Sequence, residues 1–311
     1  MPTKTVVGVF LSVWHDVHVS GVMGEGPYTP GTGWWFWGRP AYANGDISKY
    51  RWTLPDGKPN APFIDRQLDM IDTLGADFVY VDLTNGTQPE ILAGLRALCQ
   101  RRQERGKGAK IAIWMKDQKD LAMFDRDFYK KYDANIFFKW RGKPLAMIVA
   151  MPNPKDPSKP LRIPAKGLFA EYTVRWCWGL LGANSHVMWN FKDLAPDRKP
   201  YMFRGKPEQM SVAVASQASY MTTVGDGRRG RENGKFFDEQ AARVLEVKPQ
   251  VVFVHAWNEW MAIKFGDDPA NPVFVDAFGP EFSADIEPMK GGHGDSYFQR
   301  VKRFVATVKK H

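Results

Sequence analysis

The sequence predicts a single (β/α)8 barrel with long βα loops, and three observations support this fold class. Short apolar runs bounded by turn residues alternate with helical patterns, which is typical of βα units. The runs are almost continuously apolar, as expected of parallel strands that are covered on both faces. Eight such units fit into 311 residues, a length within the range of these barrels.

The first half of the chain carries the clearest elements. The first strand is "VVGVFLSVW" (6–14), and a long loop rich in Gly, Pro and Trp follows it. A helix over 61–75 places apolar residues at helical spacing and stops at Gly75. Further along, the patterns predict strands at 77–86, 109–115 and 145–151 and helices at 89–106 and 119–132.

In the second half, strands are predicted at 172–179, 210–217, 251–258 and 272–278, and a basic helix closes the chain. Between the fourth and fifth strands, "NPKDPSKPLRIPAKG" indicates a Pro-rich loop in place of a helix. A doubly wound open sheet is the alternative architecture. No shift of composition marks a linker and no repeat is visible, so we expect one domain over residues 1–311.

Composition narrows the class of protein. With 44% hydrophobic and 25% charged residues, the chain resembles an average soluble domain. No run of 18 apolar residues predicts a membrane span, and the two cysteines match neither a disulfide framework nor a metal site. The net charge of +9 is concentrated in the last helix, where a basic face is usually solvated. We therefore expect no nucleic-acid partner, no cofactor and no metal, while the oligomeric state stays open.

The N-terminus enters the first strand almost at once and leaves no room for a signal peptide. The chain is then cytoplasmic, exported without a cleaved signal, or trimmed from a larger protein. We expect it to act on an extracellular glycan, as a secreted or phage-borne protein or as part of one.

Reactive groups of a (β/α)8 barrel lie at the C-terminal ends of its strands. At those positions this sequence combines carboxylates, tryptophans and amides, without a nucleophile elbow, a "GxGxxG" or a phosphate loop. The residues are His15, Asp16, Asp82, Asn85, Trp114, Trp176, Gln217, Trp257, Asn258, Glu259, Trp260, Asp285 and Glu287.

The stretch "VVFVHAWNEW" (251–260) indicates what this rim does. A strand that ends in Glu259 between Trp257 and Trp260 offers a carboxyl group whose pKa we expect the two indoles to raise by desolvation. Paired carboxyl groups and aromatic platforms are what glycoside hydrolysis needs. Asp82 is the first choice for the second carboxyl group, and Glu287, Asp285 and Asp16 follow in that order.

Two loops on the same predicted face are candidates for substrate binding. Trp34, Trp35 and Trp37 in the loop after the first strand would form a subsite wall, or would pack that loop onto the barrel. Arg228, Arg229 and Arg231 would grip an acidic glycan, or would belong to a solvated loop. His15 and Asp16 would bind sugar hydroxyls, or His15 would be a rim histidine whose hydrogen bonds are satisfied within the protein.

The sequence resembles the glycoside hydrolase family 71/99-like group, and more closely a bacterial family known as domain of unknown function 5010. The resemblance rests on "VGVFLSVWHD", "WWFWGRPAYANGDISKYRW", "ADFVYVDLTNG", "HAWNEWMAIKF" and "EFSADIEPMKGGHGD", and so covers nearly the whole chain. It implies a (β/α)8 barrel with glycoside hydrolase chemistry, in which Glu259 matches the first catalytic glutamate of the family 99 pattern. That pattern has a second glutamate three residues later, where this chain has Ala262. The second carboxyl group must then come from elsewhere.

Two functions stay open on these grounds. The first is an endo-acting glycoside hydrolase that cleaves a bacterial cell-envelope, capsular or biofilm polysaccharide. The second is a non-catalytic glycan-binding barrel or an accessory domain of polysaccharide biosynthesis. Both predict a polysaccharide or oligosaccharide as the partner.

Overall fold

Eight parallel strands form the central sheet of the protein. The computed structural model describes residues 4–18, 34–36, 38–150, 162–163, 165–179, 186–195, 197–216, 221–222, 229–265, 273–275 and 280–310. Strands are numbered β1–β14 and helices α1–α5 along the chain. The parallel strands are β1 (Val6–Leu11), β3 (Phe78–Leu83), β4 (Lys110–Met115), β6 (Lys143–Val149), β7 (Thr173–Trp178), β8 (Trp189–Asn190), β10 (Lys206–Ala213) and β12 (Val251–His255).

These strands are arranged as a barrel. Their spatial order is β8-β7-β6-β4-β3-β1-β12-β10, and each neighbouring pair is parallel. Side chains bridge the remaining gap between β8 and β10, because the Gln209 amide both accepts from and donates to the backbone of Asn190. The predicted (β/α)8 barrel is confirmed.

A second, antiparallel sheet corrects one sequence prediction. It contains β2 (Trp34–Phe36), β11 (Met221–Thr222), β13 (Met261–Phe265) and β14 (Val273–Val275) in the order β11-β14-β13-β2. The predicted eighth barrel strand at 272–278 is therefore wrong, because its described part is β14 of this sheet. The missing barrel strand is β8, whose two residues are too few for a periodic pattern.

The helices cover the outside of the barrel. They are α1 (Ala61–Leu74), α2 (Pro89–Arg105), α3 (Leu121–Phe124), α4 (Lys235–Val247) and α5 (Ser296–Val308). The predicted helix at 119–132 is irregular, since α3 follows a 3-10 turn and continues into a π-helical turn at Asp125–Tyr129. Between β6 and β7 the described residues contain the 3-10 turn Gly167–Glu171, and most of the predicted Pro-rich loop lies outside the described residues. Two short antiparallel strands, β5 (Lys139–Trp140) and β9 (Tyr201–Phe203), extend the sheet at its edges.

Alternation along the strands separates two apolar layers. Outward residues such as Val79 and Val81 pack against the helices, while inward residues such as Phe10, Tyr80 and Phe253 fill the barrel. Tyr80 stacks on Phe253 with ring centroids 4.2 Å apart and meets Phe10 edge-on at 5.7 Å. The middle of the barrel is therefore a packed aromatic core, and a reaction site must lie at one of its ends.

A buried ion pair lies at the N-terminal end of the barrel. Glu208, on β10, is fully buried and accepts two hydrogen bonds from the Arg175 guanidinium, both of 2.8 Å. Arg141 donates a third at 2.8 Å, and the indoles of Trp140 and Trp189 donate two more at 3.0 and 2.9 Å. Five donors thus satisfy one carboxylate and join four segments of chain.

Candidate active site

The loop that carries Glu259 is pinned across the end of the neighbouring strand. The backbone N–H of Trp257 donates to the carbonyl of Phe10 at 2.9 Å. The side chain of Asn258 accepts from the N–H of Ser12 at 2.8 Å and donates to its carbonyl at 3.1 Å. These bonds fix the two residues that precede Glu259, so the backbone enters Glu259 in a defined direction.

Glu259 is buried beside two nitrogen-bearing side chains. It is only 4% exposed, and its Oε2 lies 3.0 Å from Nε2 of His255 and 3.8 Å from Nζ of Lys192, both also buried. Burial raises the pKa of Glu259, but the charge of Lys192 and the contact with His255 outweigh burial and hold this pKa below its ordinary value. The sequence-based expectation of a raised pKa was wrong, and the carboxylate is ionised at neutral pH.

His255 is the neutral neighbour of this carboxylate. Burial, reinforced by the charge of Lys192, lowers its pKa to about 4. A neutral imidazole that faces a carboxylate donates its Nε2–H, which leaves a lone pair on Nδ1. No described residue forms a hydrogen bond with that Nδ1. Its ring lies 4.4 Å from that of Phe10 and 5.0 Å from that of Phe191, between centroids.

Asp82 supplies a second carboxyl group at the same end of the barrel. It is the penultimate residue of β3 and is 5% exposed, and its Oδ1 accepts the N–H of Thr84 at 2.8 Å. Burial raises its pKa to about 7; hydrogen bonds from Thr84 oppose the shift, and the charge of Glu259 adds to it. The two carboxyl groups therefore share one electrostatic environment, while their pKa values move in opposite directions.

Aromatic side chains lie beside Asp82. Trp114 is paired with Asp82 in the register of β3 and β4 and is buried, and its Nε1–H has no partner among the described residues. Its ring centroid is 4.8 Å from that of Phe191 and 6.3 Å from that of Trp178. Trp176, two residues before Trp178 on β7, instead packs against the outer apolar layer.

Glu287 lies behind the Glu259 loop. Its carboxylate accepts from Tyr50 Oη at 2.6 Å, Trp260 Nε1 at 2.6 Å and Gln67 Nε2 at 2.7 Å. Burial raises its pKa to about 7, and these three hydrogen bonds oppose the shift. Trp257 donates to the same Gln67 at 2.5 Å. Both indoles that flank Glu259 therefore bond to this network on the far side of the loop.

His15 and Asp16 belong to the same support. His15 donates from Nε2 to the carbonyl of Asn258 at 3.0 Å and accepts from Trp52 Nε1 at 3.2 Å. Burial lowers the pKa of His15 to about 3, so the ring is neutral. Asp16 accepts the backbone N–H groups of Trp52 and Thr53 at 2.7 and 2.8 Å. His15 therefore holds the backbone of Asn258, the residue before Glu259. Asp16 holds the backbone of Trp52 and Thr53, and Trp52 in turn contacts His15.

The remaining predicted site residues have varied surroundings. Arg229 is held by Glu232 at 2.6 and 2.7 Å and by Glu239 at 3.2 Å. Asp285 is buried and accepts the hydroxyl of Ser283. Asn85 is half-buried in the turn after β3, and the backbone of Trp35 pairs with Ala262 between β2 and β13. Trp37, Gln217 and Arg228 lie outside the described residues.

Lys192 is the site residue that the sequence did not reveal. It follows β8, which was not predicted, so no strand end drew attention to it. The available signal was a single lysine after the apolar run "VMWNF" (187–191). A lysine that is fully buried in a barrel must have a charge partner, and here that partner is Glu259.

The described part of the chain contains neither a metal-binding cluster nor a membrane-spanning helix. No group of three or more His, Cys, Asp and Glu side chains there is placed to hold a metal ion. No helix there has the length and apolar character needed to cross a membrane.

Comparison with solved structures identifies similar folds. The chain resembles the GH99 endo-alpha-mannosidase from Bacteroides thetaiotaomicron at 14% identity and a TM-score of 0.55, with 98% of this chain and 97% of that chain covered. The structure of that enzyme with bis-tris-propane gives 15% identity and a TM-score of 0.56 over the same shares. No protein-family model and no curated protein matches the sequence, so the resemblance to the domain of unknown function stays a prediction. At such identities the likeness shows the fold: a barrel of the GH99 type.

Proposed function

We propose that this protein is a glycoside hydrolase that uses Glu259 and Asp82 as its two carboxyl groups. One observation carries the proposal. Both groups are buried at the C-terminal ends of barrel strands, and one pKa is held low while the other is raised to about 7. An ionised and a protonated carboxyl group at neutral pH are the two forms that this reaction needs.

The protonation states assign the roles. Asp82 donates its proton to the leaving oxygen of the glycosidic bond. Glu259 attacks the anomeric carbon or deprotonates the water that does so, and the separation of the two carboxyl groups decides between these routes. Activity requires ionised Glu259 and protonated Asp82. It should therefore decrease at pH values below the pKa of Glu259 and at pH values above the pKa of Asp82, which is about 7. Because one group must be ionised and the other protonated, the pH profile should be bell-shaped.

The substrate we propose is a polysaccharide of a bacterial envelope, capsule or biofilm, cut within its chain. The two similar structures are endo-alpha-mannosidases, which favours endo cleavage here. We do not extend the mannose specificity to this protein, because Ala262 occupies the position of the second glutamate of the family 99 pattern. Trp114, Trp178 and Phe191 are the proposed stacking surfaces for sugar rings, together with Trp35 and Trp37.

The decisive experiment is a digestion screen that measures reducing-end release from acidic and neutral bacterial polysaccharides. Wild type should release oligosaccharides from at least one of them, while Glu259→Gln and Asp82→Asn should each lose nearly all turnover. Glu246→Gln, a change at an exposed carboxylate on α4, is the matched control and should keep full activity. Full activity in either of the first two variants would refute the assignment.

Ala262 also favours a second candidate, a glycan-binding barrel without catalysis. It predicts that a polysaccharide binds to wild type and to Asp82→Asn with equal affinity. It further predicts that neither protein releases reducing ends. The same screen, combined with calorimetric binding, separates the two functions.

A further inference from the structure

A groove at the rim of the barrel has not yet been given a role. It has a volume of about 530 Å³, and the lining residues that matter here are Arg231, Glu281, His293, Tyr297, Arg300 and Arg303. These residues come from the loops after β10 and β12 and from the first turns of α5. β10 and β12 are the seventh and eighth parallel strands along the chain. Loops in that position, with a helix N-terminus, form the phosphate site of many (β/α)8 barrels.

The groove has a positive lining with unused hydrogen-bonding groups. Arg231 is 2% exposed, and it donates to the carbonyls of Pro280 and Asp285 at 2.7 and 2.8 Å. Its Nη1 forms no hydrogen bond of normal geometry with the described residues, although the Tyr297 ring lies 4.3 Å from its Cζ, and the same holds for the ring nitrogens of His293, which lie near the backbone of Gly294. Groups of this kind are costly to bury unless a ligand or water satisfies them.

Two more arginines extend the positive charge along α5. Arg300 donates to Asp238 at 2.5 Å, and Arg303 is exposed and forms no salt bridge within the described part of the chain. One carboxylate, Glu281, also lines the groove, and its Oε1 accepts the N–H of Glu232 at 3.0 Å. Because Arg300 is paired with Asp238 and the N-cap residue of α5 is Asp295, the positive charge available in the groove comes from Arg231 and Arg303, against the one carboxylate of Glu281.

Two glycines in the loop after β10 leave room for side chains that line the groove. A Cβ at Gly234 would lie 2.2 Å from Cζ of Arg300, and one at Gly230 would lie 2.2 Å from Oε1 of Glu281. Only glycine lets both side chains come this close. A larger residue at either position would displace the flexible end of the arginine or the glutamate side chain.

We propose that this groove binds an anionic sugar unit of the substrate, held through its carboxylate, sulfate or phosphate group. Arg231, His293 and Arg303 supply the hydrogen bonds and charge. The volume suits a sugar unit, since ligand sites typically measure ~300–1,000 Å³. The substrate class is then an acidic glycan. The assignment of the bound anion to the substrate rests on the proposed hydrolase function. The groove as a binding site for an oxyanion (the oxyanion site) does not.

The test begins with binding, independent of catalysis. The ring resonances of isotope-labelled histidine, assigned with His293→Gln, are followed during titration with inorganic phosphate, glucuronate or glucose at constant ionic strength. Phosphate and glucuronate should shift the His293 resonance saturably in the millimolar range, and glucose should not. Arg303→Glu should weaken both affinities by about fivefold, which is the effect expected from the strongest exposed charge pairs. Lys302→Ala, one residue along α5 and outside the groove, is the matched control and should change neither.

Kinetics then show whether the bound oxyanion is part of the substrate or a free ion. With an acidic polysaccharide, Arg303→Glu should raise KM and leave kcat unchanged; with its carboxyl-reduced form, both constants should stay unchanged. A His293 response to phosphate without this KM effect would mean that the groove takes a free ion, and would refute the substrate assignment. No saturable response to either anion would refute the site altogether.

The two proposals fail separately. Asp82→Asn should bind glucuronate like wild type, because Asp82 is not part of the groove. A His293 response in a protein that hydrolyses no polysaccharide would uphold the oxyanion site and reject the hydrolase. Hydrolysis with equal preference for acidic and neutral chains, without a His293 response, would uphold the hydrolase and reject the oxyanion site.

Discussion

The barrel buries a glutamate at each end, and the two are held in different ways. Glu208, at the N-terminal end, accepts five hydrogen bonds from two arginines and two indoles. Glu259, at the C-terminal end, has a neutral histidine at 3.0 Å and an ammonium group at 3.8 Å. Both pKa values are held below the ordinary value, in each case against burial.

The difference shows how a fold separates stability from chemistry. Fork-shaped donors saturate Glu208, so its oxygens have no capacity left for a reacting atom. The charge of Glu259 is stabilised mainly by a nearby charge, which keeps the carboxylate ionised and leaves acceptor positions for a substrate. Asp82, which has no charged donor, supplies the protonated counterpart at the same end.

The largest expected effect is on turnover, and it belongs to the C-terminal end alone. Glu259→Gln should lower kcat by about 10²–10⁴, the usual contribution of a group with an acid–base role. Glu208→Gln should keep wild-type kcat per folded molecule. Kinetics on samples of known folded fraction would check this, and equal losses in both variants would erase the distinction between the two ends.

The second effect is on stability, and it belongs to the N-terminal end. Glu208→Gln should lower the free energy of unfolding by about 3–5 kcal/mol, because it leaves the Arg175 charge buried and unpaired. Urea unfolding at pH 7 measures this loss. Glu246→Gln, on the exposed face of α4, is the control and should stay within about 0.5 kcal/mol of wild type. A loss in Glu208→Gln no larger than in this control would contradict the structural role.

Lys192 offers a way to sharpen the comparison. Lys192→Met should raise the pKa of Glu259, so the acidic limb of the pH–rate profile should move to higher pH. The other groups near Glu259 are His255, whose pKa Lys192 also lowers, Asp82 and Tyr80. Lys192→Arg should restore most of the wild-type profile. If the methionine variant loses activity equally at every pH, Lys192 acts only in packing.

Sequence periodicity predicted most of the barrel, because its longer strands are apolar runs of six or more residues. It failed at β8, where two residues cannot show a period, and it then assigned the eighth strand to a segment of the antiparallel sheet. The same failure concealed Lys192, and without Lys192 the pKa of Glu259 was expected to move in the wrong direction. One short strand thus accounts for errors in both the fold and the site.

The strand-end rule selected Glu259 and Asp82 together, since parallel strands bring their ends to one rim. It could not tell whether the indoles of Trp257 and Trp260 face the substrate or the network around Glu287. Trp257 bonds to Gln67, 190 residues away in sequence, and Trp260 bonds to Glu287. Such long-range polar contacts leave no local pattern, so residues of the supporting network were indistinguishable from candidate substrate contacts.

The smallest expected effect concerns the pH dependence of stability, which should have opposite signs at the two ends. The pKa of Glu208 is lowered in the folded state, so Glu208 contributes stability that is present above its unfolded pKa and is lost as the pH falls through its folded pKa. The pKa of Asp82 is raised to about 7, so the folded state binds more protons there than the unfolded state does. Stability should therefore decrease as the pH rises from the unfolded pKa of Asp82 towards 7.

Asp82→Asn isolates this effect, because it keeps the shape of the side chain and removes the ionisation. At pH 8 the variant should be more stable than wild type by at least about 1 kcal/mol, since one unit of pKa shift corresponds to ~1.4 kcal/mol. At pH 4, where Asp82 is protonated in the folded protein, the difference should largely vanish. Urea unfolding of both proteins at the two pH values measures the change, with Glu246→Gln as the control at an exposed carboxylate. A variant that is inactive yet more stable at pH 8 would mean that the fold tolerates an unfavourable buried carboxyl group where catalysis needs one. Equal stability at both pH values would mean that Asp82 does not carry the raised pKa on which its role as the acid depends.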